Sequence, residues 1–175
     1  MASLGPEQVT AANEMAEAAI EALRTEQGVH AGTAVAAAAR MAGTFLFRSF
    51  RFRLPDVKPG QPVLSDEANE QGPRLLHVLV GVLGDLGVEL DRERLKAEPG
   101  PEHKPLLPFL ETQGKVEPPC EGIRQRLGLS LASAALAAAA ATAVVIGRTA
   151  KVLDPNVAFH IAAYGFVEGT KTAPA

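Results

Sequence analysis

Three side chains near the end of the chain fall one helical turn apart: His160, Tyr164 and Glu168. Positions i, i+4 and i+8 share one face of a helix, so an imidazole, a phenol and a carboxylate would stand in a row. Such a row can transfer protons or contribute to a metal site. It can also be a polar stripe beside a core of Phe159, Ile161, Ala163 and Phe166. With no further acid, base or ligand tied to it in the sequence, the polar-stripe reading is the stronger.

His77 opens a second constellation, followed by Gly81, Gly84 and Gly87 at intervals of three. Glycines on a helix either make room for a ligand against the backbone, with His77 as its polar contact, or admit a neighbouring helix. The spacing is GxxGxxG inside a helix, so the GxGxxG strand-to-helix fingerprint of dinucleotide binding is not met. A ligand site is therefore expected, if anywhere, between the glycine face of this helix and the helix of His160, Tyr164 and Glu168. The linker 97–119 would act as its lid, and a small apolar or anionic molecule would be its occupant.

A third cluster is FRSFRFR, Phe47 to Arg53, which together with Arg40 supplies four guanidinium groups: Arg40, Arg48, Arg51 and Arg53. At a helix C-terminus these suit the negative end of the dipole and could hold a phosphate or carboxylate. Glu14, Glu17 and Glu21 on the first helix offer internal partners, which makes structural pairing the stronger expectation.

The signatures GxSxG, GxxxxGK[ST] and HExxH are missing, as are the Glu-x-x-His pairs of carboxylate-bridged metal bundles. Cys120 is the only cysteine, too few for a disulfide or a cysteine zinc site, and it reads as inert. The expectation is a non-enzymatic interaction protein without cofactor or metal, with a small-molecule-binding bundle as the alternative. A formal net charge of -3 gives no long-range attraction to nucleic acid. The opening MASLGPEQVT has neither a basic nor an apolar signal region, so the default compartment is the cytoplasm.

The elements that must position these groups follow from periodicity. Residues 6–50 read as a helical hairpin: Pro6 starts an amphipathic helix, Gly28 stops it, and a more apolar helix returns. Proline and glycine make 54–65 a linker; 66–96 carries helices capped by Ser65 and closed at Gly87; 97–119 is a second proline-rich linker. A long alanine-rich helix over 120–153 and a last helix over 154–168, with Asp154 and Pro155 at its start, complete the chain. The fold class is all-α, a single-domain bundle of about five main helices with two long proline-rich loops and the alanine-rich helix at its centre.

Within that helix, Leu127 to Gly147 is uncharged and long enough to span a bilayer. Its few strongly apolar residues are opposed by glycines, serines and a threonine, so insertion is close to neutral and a bundle core is favoured. Ala132, Ala135, Ala139 and Ala143 form a stripe of small side chains that another helix can approach closely. Ala31, Val35, Ala39 and Gly43 on the second helix carry a matching stripe. A helix apolar nearly all round needs cover on every side, so the stripe from Ala132 to Ala143 is the expected self-association surface of a homodimer.

Overall fold

A proline at the first helical position and a glutamine three residues past the cap start the first helix. In the computed structural model, which describes residues 3–175, the Gly5 N–H donates to Gln8 Oε1 at 2.9 Å. Helix α1 then runs Pro6–Ala22. Ala11, Ala12, Met15, Ala16 and Ala19 form its buried face. The chain reverses through two backbone hydrogen bonds between Thr25 and Gly28, whose φ of 95° favours glycine. His30 then caps α2, Ala31–Ser49.

Helix α2, rather than the alanine-rich helix near the C-terminus, is the centre of the bundle: every residue from Ala31 to Phe47 is buried. Alanine, glycine and threonine dominate it on all sides, so α1, α5, α6 and α7 can each lie against it. Residues 54–65 are non-helical, as their prolines dictate. They hold the end of the chain through Gly60 N–H to Ala173 O, Val63 N–H to Lys171 O and Ala173 N–H to Gln61 O. Phe47, Val63 and Ala173 make a small second core there.

Ser65 caps the short α3, Asp66–Gln71, and Pro73 begins α4, Pro73–Asp85. Gly87, at φ 72°, closes α4 through a Val88 N–H to Leu83 O bond.

Residues 97–119 are not one linker. Only the first half is irregular, a strap containing a 3₁₀ turn at Pro101–His103; α5 then spans Phe109–Arg126 with Pro118 and Pro119 in its interior. Each proline forfeits a backbone donor, but Thr112, Gln113, Val116 and Cys120 are buried on both sides of the pair and hold the helix through it. The expected helix over 120–153 is in turn two. Gly128, at φ 66°, ends α5 with Leu129 N–H bonded to Arg124 O, and Ser130 caps α6, Leu131–Thr149. Asp154 accepts from the Asn156 N–H and opens α7, Pro155–Thr170.

The chain is an all-α single-domain bundle, with seven α-helices among the described residues, six of them with 13 residues or more. Helices α1 and α6 run parallel, since Gln8 bonds Ser133 O near one end and Glu17 pairs with Arg148 near the other. Arg126 pairs with Glu14, so both arginines that bound the apolar run are clamped to α1. Helix α6 is long and apolar enough to cross a membrane, yet 61% of its most apolar window is buried inside the bundle.

That burial also corrects the expected self-association stripe. Ala135, Ala139 and Ala143 are fully enclosed by the chain's own helices, and only Ala132 reaches the surface. Nor does the small-residue stripe of α2 serve α6 alone. Gly43 meets Gly169 of α7, and Ala39 meets Gly165.

Candidate functional site

Two glycines place the site. A Cβ on Gly169 would lie 2.3 Å from Arg40 O and 2.9 Å from Gly43 Cα; one on Gly165 would lie 2.8 Å from Ala39 Cβ. Helices α2 and α7 therefore touch backbone to backbone, in parallel register, because neither glycine carries a side chain. This contact brings Glu168 to Arg40, with guanidinium Nε 2.6 Å from Oε2 and Nη2 3.3 Å from Oε1. Arg40 Nη1 also donates to Leu107 O at 2.8 Å and Thr112 Oγ1 at 3.3 Å. One buried guanidinium thus ties together α2, α7, the strap and α5.

The strap is fixed to α2 at two further points. His30 Nδ1 accepts from the Thr33 N–H at 3.1 Å, so the ring hydrogen sits on Nε2, which donates to Glu102 O at 2.7 Å. Thr33 Oγ1 accepts from the Leu106 N–H at 2.9 Å. The His103 carbonyl passes where any Cβ at position 32 would be, so only Gly32 admits the strap this close.

Between the strap and α7 lies a cleft of about 230 Å³. Ala36, Ile161 and Gly165 form its buried apolar side, Pro99, Lys104 and Pro105 face it from the strap, and Arg40 and Glu168 complete the wall beside His160 and Tyr164. Arg40 and Glu168 satisfy one another. Lys104, His160 and the Tyr164 hydroxyl make no hydrogen bond or ion pair among the described residues. Tyr164 is 68% exposed. Drug-sized ligands occupy sites of roughly 300–1,000 Å³, so this cleft suits a smaller molecule.

The row His160, Tyr164 and Glu168 is thus brought together, with a lid from the first part of 97–119. The other half of the expected site is elsewhere. His77 is exposed on α4 and with Gly81 lines a separate groove of about 410 Å³ between α1 and α4, floored by Ala140 and Val144. Gly84 is on the surface, with nothing within 4 Å of a Cβ placed there. Helix α7 is packed on α2, not on the glycine face of α4, so the cleft beside His160 and the groove beside His77 are separate.

The four-arginine site does not assemble either. Arg40 is committed to Glu168; Arg48 pairs with Glu117 at 2.7 Å and bonds Ala175 O; Arg51 and Arg53 are separately exposed. The acids of α1 are not their partners, since Glu14 pairs with Arg126, Glu17 with Arg148 and Glu21 with Arg24. Cys120 is buried in α5, and burial, aided by the nearby Glu117 charge, pushes its thiol up to about 12. Among the described residues no group of three or more His, Cys, Asp or Glu side chains is disposed to hold a metal.

Glu98 and Lys104 line the cleft and were not distinguished by sequence reasoning. Their one signal was the company of prolines, since Pro99, Pro101 and Pro105 stiffen the strap that carries them. Comparison with known proteins finds no matching family model, no matching curated protein and no matching solved structure.

Proposed function

We propose that this chain is a non-enzymatic small-ligand-binding bundle whose site is the cleft between α7 and the strap. The observation that carries this reading is the contrast inside the cleft: Arg40 and Glu168 are mutually satisfied, while Lys104, His160 and Tyr164 line it without a partner. The strap is already held by His30, Thr33 and Arg40, so little ordering would have to accompany binding.

The chain supplies its own probe. Tyr164 is its only tyrosine and it has no tryptophan, so intrinsic emission reports on the cleft alone. Titrating the protein with a panel of small metabolites should identify molecules that change Tyr164 emission saturably and raise the melting temperature. A panel that alters neither would contradict the reading.

A second reading is self-association, at a different place from the buried alanine stripe. Val9 on α1 and Leu86 just beyond α4, each about half exposed, line the groove that contains His77. Light scattering of the purified protein over a tenfold concentration range should then give a dimer mass that Leu86→Glu reduces to the monomer. A monomer throughout would remove this reading.

A further inference from the structure

Glu98 and Lys104, both exposed on the same strap, line the same cleft with opposite charges, yet form no ion pair with each other or with any described residue. The Arg40–Glu168 pair is neutral as a unit. The cleft therefore presents one unmatched carboxylate and one unmatched ammonium beside an apolar surface.

We infer that the cleft takes a small zwitterion, an α-amino acid with an apolar side chain, its carboxylate on Lys104 and its ammonium on Glu98. This rests on the cleft being the binding site. A simple organic anion would satisfy Lys104 but meet the Glu98 charge, and a simple amine would do the reverse; a zwitterion satisfies both. The ligand side chain would lie over Ile161, Ala36 and Pro105, where a polar group would lose water without gaining a partner. Size agrees, since about 230 Å³ is too little for a nucleotide or a large cofactor. His160 and Tyr164 line the same cleft and carry donors that a ligand carboxylate could use.

The test is isothermal titration of the whole chain with L-valine, L-leucine and L-phenylalanine, and with isocaproate and isoamylamine, which keep the leucine skeleton but only one of its charges. At least one amino acid should bind with a change in Tyr164 emission, and each single-charge analogue should bind at least about tenfold more weakly than leucine. Lys104→Gln and Glu98→Gln, both on the exposed strap, should each weaken amino-acid binding by about tenfold without lowering the melting temperature. If an analogue binds as tightly as leucine with the same change in emission, the zwitterion assignment is overturned and the cleft remains a binding site. If none of the five compounds binds, the assignment is overturned too, and the metabolite panel then decides separately whether the cleft binds anything.

Discussion

Arg40 and Glu168, 128 residues apart, meet across the α2–α7 contact at 2.6 Å, with side chains only 11% and 23% exposed. Removing one partner of a sheltered ion pair leaves the other charge desolvated and unpaired. Glu168→Ala should lower unfolding free energy by about 2–4 kcal/mol, with Arg40 still held by Leu107 and Thr112. Glu168→Gln, which keeps an acceptor, should cost less. Urea denaturation of the two variants measures the difference, and equal stability of Glu168→Ala and the parent would mean that the pair contributes nothing.

The same contact makes glycine substitutions differ in sign by position. Gly169→Ala inserts a methyl 2.3 Å from a backbone oxygen, which the helices relieve only by separating; a loss of about 1–3 kcal/mol is expected despite the better helix propensity of alanine. Gly84→Ala, on the exposed face of α4 with nothing within 4 Å, should instead gain about 0.5–1 kcal/mol. Thermal unfolding of the two variants reads the opposite shifts directly.

His30 joins the start of α2 to the strap, so its loss should be felt in two ways. His30→Ala removes the cap acceptor for Thr33 N–H and the donor to Glu102 O, at a cost of about 1–2 kcal/mol. It should also weaken binding of any ligand that perturbs Tyr164, because the strap carrying Lys104 loses a fixed point. A variant that is destabilised but binds unchanged would show that the strap is held well enough by Thr33 and Arg40.

Cys120 sets a pH limit on stability. Its folded value of about 12 lies above the ordinary value of 9, so the unfolded chain releases the thiol proton first as pH rises. The contribution is intact below pH 9 and is lost progressively between about 9 and 12. Urea unfolding at stepped pH should show this decline in the parent and a shallower one in Cys120→Ala. The native thiol should also resist a disulfide reagent that labels the unfolded chain at once.

How far the sequence alone discloses this structure differs from element to element. The starts of α1, α4 and α7 were legible because Pro6, Pro73 and Asp154–Pro155 are local signals with a local cause. Helix α5 was not, because Pro118 and Pro119 resemble a helix start and only tertiary burial of Val116 and Cys120 carries the helix through them. The break at Gly128 had its signals, a glycine and then Ser130, but the alanine run beyond obscured them. For the site, the row His160, Tyr164 and Glu168 follows from spacing alone. Its partner Arg40 precedes the basic cluster Phe47–Arg53 in sequence and reads as part of it, and placing α7 against α2 rather than α4 depends on the fit of Gly165 and Gly169 to Ala39 and Gly43, which no periodicity reveals.

The central claim, that the cleft under the strap binds a small molecule, is tested most directly by methyl nuclear magnetic resonance. The chain has four isoleucines, Ile20, Ile123, Ile146 and Ile161, and only Ile161 lines the cleft. With isoleucine methyl groups labelled, titration of the apolar amino acids and the metabolite panel should shift the Ile161 resonance saturably and leave Ile20, Ile123 and Ile146 in place. An Ile161 signal that no compound moves, or a saturable shift confined to the other three, would contradict the account.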